Sequence, residues 1–281
     1  MVDFMIIGSQ KCGTSTLFDI LNGHPKLIGC SEKEPDFFSD SLDWKKNLDD
    51  YEGLFPASSK DSLSFEGSTS YTFYPFNNLD IWESIYKYNP NMKFIYLVRR
   101  PVDRIISSYM HNYERGYTSS SLADALIKER FYIDTTRYTT QINPFINRFG
   151  KDNILIIDFD DLNRSRSNVL REISRLLNVD FDGFQDYEDS HSNVSIGGVK
   201  PNYRLDGLVN ILRKISFSFP KKTQHAFRSG ARYFLKKGKR SFSEKPKMSS
   251  EQIHIVNNML DLEVRSLEEI TGKDFSHFLS L

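Results

Sequence analysis

The sequence predicts an α/β protein, a three-layer sandwich of the P-loop type with a central parallel β-sheet flanked by helices. Three observations carry that reading. Short apolar runs alternate with amphipathic stretches along most of the 281 residues, the pattern of a parallel sheet covered on both faces. KFIYLV, residues 93–98, is apolar with almost no interruption, as a fully buried strand is. Residues 5–21, MIIGSQKCGTSTLFDIL, join a buried strand to an amphipathic helix through a turn bracketed by Gly8 and Gly13, where periodicity switches from strand to helix.

That turn organises the chain. A tight turn into a helix leaves backbone N–H groups pointing outward, and with the positive end of the helix dipole they form a cradle for an anion. Lys11 adds a cation, Cys12 and Gly13 complete the loop, and Thr14, Ser15 and Thr16 add three hydroxyls in the first turn. A nucleotide-triphosphatase loop reads GxxxxGK[ST], with its lysine directly after the second glycine. Here Thr14 stands at that place and Lys11 comes three residues earlier, which aims the ammonium at a different part of the ligand. The bland alternative is a strand–turn–helix with an incidental lysine. The flanking elements and the hydroxyl triplet favour anion binding over it.

The remaining elements follow in order. NGHP, residues 22–25, stops the helix with its Gly and Pro, and KLIGC from Lys26 is a short strand. SEKEPDFFSD, residues 31–40, crowds acids just past a strand end. Ligands of open parallel sheets bind at the carboxyl ends of strands, so Glu32, Glu34 and Asp36 either face the cradle or form a solvated loop pinned by Phe37 and Phe38. Residues 41–63 read as helical and polar. SLSFEGSTSYTFY, residues 62–74, begins as a strand and ends in a hydroxyl-rich turn carrying Glu66, Ser68 and Tyr71. A helix over 79–88 ends at Asn89-Pro90. The strand at 93–98 runs into Arg99-Arg100-Pro101, and Pro101 suits the first turn of a helix on which Ser107 lies about two turns in. Arg99 and Ser107 can converge there on a second anion, or Arg99 can be surface decoration. Residues 121–149 read as helices, among them 138–149. NILIIDFDDL, residues 153–162, is a further strand ending in acids, where Asp158 could pass for a magnesium-binding carboxylate. A helix over 169–177 precedes a loop over 180–204, with Gly197-Gly198 and Pro201, that is too long for a mere connector. The chain closes on a helix over 250–271 ended by Gly272.

Composition sets the bounds. The hydrophobic share of 39% and aromatic share of 14% describe an ordinary globular protein, and 37 basic residues balance 37 acidic ones, so only local clustering speaks of partners. No run reaches the length of a membrane span, and residues 1–7 lead straight into a strand, so no signal peptide is expected. Cys12 and Cys30 give no disulfide framework. A reducing, cytoplasmic location fits them. The sequons at Asn163 and Asn193 are weak signals. Residues 213–247 stand apart, with 12 lysines and arginines against the single acid Glu244, and with Phe217, Phe219, Phe227, Tyr233 and Phe234 interleaved. The segment reads as a surface for anionic lipid, acidic glycan or nucleic acid, or as a solvated helical excursion.

These residues resemble the sulfotransferases that use 3′-phosphoadenosine 5′-phosphosulfate, and within them the carbohydrate branch typified by the heparan sulfate enzymes. GSQKCGTSTL is similar to the family's 5′-phosphosulfate loop, whose lysine precedes a GT pair as Lys11 does. KEPDFF resembles its KEPHFF-type segment. FIYLVRRPVDRIISSY resembles the 3′-phosphate motif, whose arginine and serine are Arg99 and Ser107 here. ILIIDFDDL and the ending LEEITGKDFSHF resemble its last strand and terminal helix. The chain departs from the pattern at Arg100, where Asn or Asp is usual. It departs again at Asp36, where the heparan branch tends to have His, and at Gly67, where that branch carries an acceptor-contacting lysine. Residues 197–200 match the family's cofactor-covering loop in position only.

The resemblance implies one sulfotransferase domain over 1–281, with an α/β core to about residue 205 and a basic helical region over 206–281. It implies in-line transfer of a sulfuryl group to a hydroxyl or amine of a carbohydrate or glycolipid acceptor, without a metal. Lys11 would stabilise the leaving phosphate, and Glu34 would take the acceptor proton, with Asp36 and Glu66 behind it. Lys11, Cys12, Gly13, Thr14, Ser15, Thr16, Arg99 and Ser107 would hold the donor. Asp36, Glu66, Ser68 and Tyr71 would meet the acceptor. Segment 213–247 would make any peripheral membrane contact, and nucleic acid is not expected as a partner. Two rivals stand beside this reading, a P-loop kinase or nucleotide-triphosphatase and a non-catalytic protein that binds membrane or polyanion.

Overall fold

The computed structural model describes residues 1–40, 43–56, 61–187 and 242–280. Five parallel strands form one sheet in the order β2-β3-β1-β4-β5. They are β1 (Phe4–Gly8), β2 (Leu27–Gly29), β3 (Leu63–Glu66), β4 (Lys93–Val98) and β5 (Ile154–Asp158). Register is set at Phe4↔Phe65, Met5↔Phe94 and Ile95↔Leu155, with an irregularity between Ile6 and Gly8 where β1 leaves the ladder for the loop. Apolar runs without a polar face, as in β1 and β4, bury both sides, and the period of two sends alternate residues into two cores. Phe4, Ile6, Ile95 and Leu97 face a layer of α1 (Thr14–Asn22) and α10 (Arg166–Leu177). Met5, Ile7, Phe94 and Tyr96 face α4 (Ile81–Tyr88), α8 (Tyr138–Phe149) and α11 (Ser250–Thr271). Each such side chain contributes about 1.5–3 kcal/mol on burial. Truncating Phe94, which is 0% exposed between Phe145 and Phe149, would cost about 3–5 kcal/mol.

Helix ends follow local chemistry. Gly23 closes α1 through its N–H on Ile20 and Leu21. Ser249 and Gln252 open α11 with a capping box, and Gly272, left-handed at φ 70°, closes it on Glu268. The strand expected over 153–162 stops at Asp158 because that carboxylate accepts from Asp160 N at 3.0 Å and caps α9 (Phe159–Arg164). Residues 41–63, expected to be helical, hold a 3₁₀ turn (Trp44–Asn47) and α3 (Leu48–Glu52) in their described part, and Leu63 already opens β3. The turn expected near 69 is a 3₁₀ helix (Thr69–Thr72), and residues 37–40 form α2 (Phe37–Asp40). The loop expected from 180 opens with a 3₁₀ helix (Phe181–Tyr187). Its later part, with Asn193, Gly197, Gly198 and Pro201, lies outside the described residues, as does most of the basic segment 213–247.

The chain forms two compact units. The first comprises Met1–Ile105, Glu129–Ser192 and Ser249–Leu281 and holds the whole sheet; the final helix returns to it. The second comprises Ile106–Lys128 and Asn193–Met248. Its described part holds most of α5 (Pro101–Glu114) and α6 (Leu122–Lys128). Phe242 packs there on Tyr109 and Tyr113 at 5.7 and 4.7 Å, and Tyr109 Oη donates to Ser120 O at 2.9 Å. Among the described residues no helix is long and apolar enough to cross a membrane.

Candidate active site

The loop between β1 and α1 is built from backbone that few residues tolerate. Gly13 is left-handed at φ 87°, and a Cβ there would stand 2.8 Å from the ring of Phe159. Only glycine permits both. Lys11 is also left-handed, at φ 71°. The loop is pinned behind: Ser9 N donates to Leu97 O at 2.8 Å and Ser9 Oγ to Tyr96 Oη at 2.7 Å. Gly13 at the N-cap of α1 has no side chain to bond the first amides, which leaves them to a ligand as an anion site requires. Of the three hydroxyls, Thr14 is buried, Thr16 half-buried and Ser15 exposed. Cys12 is fully buried, and burial pushes its thiol up to about 11 although Arg104 and Arg99 pull it down. It therefore offers a ligand its backbone rather than a thiolate.

Arg99 closes the same site from the end of β4. Its guanidinium lies 4.5 Å from the centre of the Phe159 ring, and Nη1 donates to the Lys11 carbonyl at 3.4 Å. Phe159 thus carries Gly13 on one contact and Arg99 on another, which draws the β4 arginine to the loop. Tyr138 Oη fixes the Arg99 backbone, donating to its carbonyl at 2.6 Å and accepting from its N–H at 3.3 Å. Ser107 lies further along α5, within the second unit.

The acids sort into two groups. Glu34 is on the surface, its carboxylate paired with Lys33 Nζ, which itself lies 6.0 Å from the centre of the Phe18 ring on α1. Glu66 is fully buried. Its Oε1 accepts from Tyr51 Oη at 2.8 Å and Tyr71 Oη at 2.7 Å, and its Oε2 from Ser68 Oγ. Desolvation raises it from 4.5 to about 7, against three hydrogen bonds that lower it. Ser68 Oγ in turn accepts from Asp36 N at 3.0 Å, and Asp36 Oδ1 accepts from Ser70 Oγ. Glu66, Ser68 and Tyr71, expected to touch acceptor, are buried here at 0, 0 and 3% exposure. The physical reason is that Glu66 ends β3, which lies between β2 and β1 in the sheet, and its oxygens find hydroxyls in the protein before water. They hold Asp36, left-handed at φ 52°, from beneath.

Gly67 explains the missing lysine. Its N–H donates to Lys33 O at 3.0 Å, and a Cβ there would meet Phe18 Cδ2 at 3.2 Å. The Phe18 ring would have to give by a few tenths of an ångström to admit a side chain there. Asp158 caps α9 and accepts from His277 Nε2 at 2.9 Å, so both its oxygens are engaged. Among the described residues no group of three or more His, Cys, Asp or Glu is placed to hold a metal ion. Two residues that sequence reasoning missed are Tyr138 and Arg104, a fully buried arginine whose Nε donates to Gln10 O at 3.1 Å. The one signal for Arg104 was a charge set directly before the apolar pair Ile105-Ile106.

Comparison with known proteins identifies the family and the fold. The family model described as "Sulfotransferase domain" matches residues 2–270. Heparan sulfate glucosamine 3-O-sulfotransferase 5 of Mus musculus is 26% identical over 188 residues, covering 62% of this chain and 53% of that protein. A bifunctional heparan sulfate N-deacetylase/N-sulfotransferase 1 of Caenorhabditis elegans is 25% identical over 203 residues, covering 66% of this chain and 23% of that protein. The chain thus spans about half or less of the length of these relatives. The crystal structure of a sulfotransferase from Alicyclobacillus acidocaldarius superposes with a TM-score of 0.68 at 22% identity, covering 100% of this chain and 99% of that one, and bears out the fold.

Proposed function

The chain belongs to the sulfotransferase domain family, and from that premise we propose that it moves a sulfuryl group from 3′-phosphoadenosine 5′-phosphosulfate to a hydroxyl or amine of a carbohydrate or glycolipid. The observation that carries this reading is the loop: Lys11 within it, an uncapped helix start behind it, and Arg99 drawn against the Lys11 carbonyl. A donor with two anionic ends needs cations at two neighbouring places, and Lys11 and Arg99 supply them.

The acceptor oxygen or nitrogen forms a bond to sulfur while the bond from sulfur to the bridging phosphate oxygen breaks. Charge accumulates on that oxygen, and the Lys11 ammonium and helix amides stabilise it. Held in line by the loop, the two reactants gain from orientation alone. The acceptor proton passes to Glu34, an exposed carboxylate able to meet a substrate from solvent. Asp36, fixed by Ser68 and Ser70, orients the acceptor beside it. The heparan sulfate relatives support a glycan acceptor. Engagement of Asp158 by Asp160 and His277 speaks against the kinase reading, since that carboxylate is already committed.

Calorimetric titration with adenosine 3′,5′-bisphosphate, with ATP–magnesium alongside, tests the donor. Tight binding of the bisphosphate, lost in Arg99→Ala, is the expected result. Binding of ATP–magnesium in its place would overturn the reading.

A further inference from the structure

Arg104 sits in the first turns of α5 with a fully buried side chain. Its guanidinium is met by four neutral oxygens. Nε donates to the Gln10 carbonyl at 3.1 Å, and Nη1 donates to Tyr132 O at 3.3 Å, Thr135 Oγ1 at 2.6 Å and Thr136 Oγ1 at 3.0 Å. Nη2 is buried without a hydrogen-bond partner among the described residues. No carboxylate of the described residues forms an ion pair with it. Asp134, beside Thr135 in the chain, is taken by Arg130 and Arg137 at 3.3 and 3.6 Å. Asp158 is taken by His277.

A guanidinium keeps its charge, and burying a charge without its opposite is among the costliest things a fold can do. This one is buried directly behind the anion loop, on the carbonyl of the residue before Lys11. Its field also reaches the loop's surroundings, where it pulls the Cys12, Tyr96 and Tyr138 groups down against the effect of burial.

We propose that Arg104 is a positioning residue whose missing counter-charge is the anionic donor itself. It fixes the Gln10 peptide and so the path of the loop, and it holds a permanent positive charge behind the cradle, ready before the donor arrives. Unlike Arg99 it need not touch the donor. The assignment rests on the donor reading above, and it predicts that donor affinity follows the charge at position 104 rather than the hydrogen bonds there.

The test compares Arg104→Lys, which keeps the charge, with Arg104→Gln, which keeps a donor and loses it. Binding of adenosine 3′,5′-bisphosphate is measured by calorimetry, and melting is followed with and without it. The expected result is a dissociation constant raised about tenfold or more in Arg104→Gln and within about threefold of wild type in Arg104→Lys, with the bisphosphate raising the melting midpoint least in Arg104→Gln. Equal binding by Arg104→Gln and wild type would overturn the assignment alone. So would equal losses in both variants, since the hydrogen bonds would then carry the effect. If neither variant folds without ligand, the bisphosphate must rescue Arg104→Lys and not Arg104→Gln; rescue of both or neither counts against the proposal. A wild type that ignores the bisphosphate would overturn the donor reading and this assignment with it.

Discussion

Tyr71 donates its hydroxyl to Glu66 Oε1 at 2.7 Å, which turns the acid that opens EGSTSY inward. With Tyr51 and Ser68 on its other lone pairs, Glu66 becomes the buried end of a chain of hydrogen bonds that reaches Asp36. Burial raises its carboxyl from 4.5 to about 7. A group raised on folding binds more protons in the folded state between those two values, so stability falls as pH rises through that window. The contribution is complete below about 4.5 and lost by about 7, and amounts at most to roughly 3 kcal/mol. Glu66→Gln removes that slope, because the amide cannot ionise. Melting midpoints recorded from pH 4.5 to 7.5 should show a flatter dependence in the variant than in wild type. An unchanged slope would mean that Glu66 is not the titrating group.

Asp158 pairs with His277 Nε2 at 2.9 Å while capping α9 through Asp160 N. An N-cap is worth about 1 kcal/mol, so Asp158→Ala should lower stability by about 1–2 kcal/mol in a denaturant titration. It should leave bisphosphate affinity within about twofold of wild type, a difference of about 0.4 kcal/mol. Turnover should be insensitive to chelation of magnesium. A chelator that stops the reaction, or an affinity that collapses with the cap, would reinstate Asp158 as part of the site.

The parts of this site that were legible in the sequence are those fixed by local geometry. Gly8 to Gly13 and the amphipathic helix after them specify the loop, because spacing within one strand–turn–helix unit decides where amides point. KFIYLV followed by Arg99 specifies a charge at a strand end for the same reason. What stayed hidden depends on packing between distant segments. Nothing near Glu66 in the chain announces that Tyr51, 15 residues away, will meet it, so an acid read as facing the acceptor lies underneath. Arg104 is hidden likewise, since its oxygens come from residues 28 to 94 positions away. Asp158 ended a convincing strand, and only the cap on Asp160 shows that the strand stops there. Gly67 reads as a lost lysine until the packing of Phe18 and Lys33 against it is seen.

Lys11 sits at φ 71°, a conformation costing a side-chain-bearing residue about 1–2 kcal/mol. The loop holds that strain where the chemistry needs an ammonium. Lys11→Gly relieves it and should raise stability by up to about 1 kcal/mol, while removing the cation proposed to stabilise the leaving phosphate and cutting turnover by about 10²-fold or more. Lys11→Ala should lose turnover equally without the gain in stability. Chemical denaturation and initial rates measured on the same preparations separate these effects. A glycine variant that is both less stable and fully active would show that neither the strain nor the cation belongs to Lys11.

Glu34 pairs with Lys33 at the surface, with side-chain exposures of 42 and 24%. Exposed ion pairs contribute about 0–1 kcal/mol, so neither residue can be changed far in stability by losing the other. That makes Glu34 a clean test of chemistry. Glu34→Gln keeps size and polarity and removes the proposed base, and general-base catalysis is worth about 10²–10⁴-fold. The expected result is a fall in kcat of that order on whichever acceptor the wild type sulfates, with bisphosphate affinity and melting midpoint unchanged. Lys33→Ala serves as the control. It breaks the same ion pair and leaves the carboxylate, so its turnover should stay within about tenfold of wild type. If Lys33→Ala falls as far as Glu34→Gln, the pair acts as a unit that shapes the site and the base lies elsewhere, with Asp36 next in line.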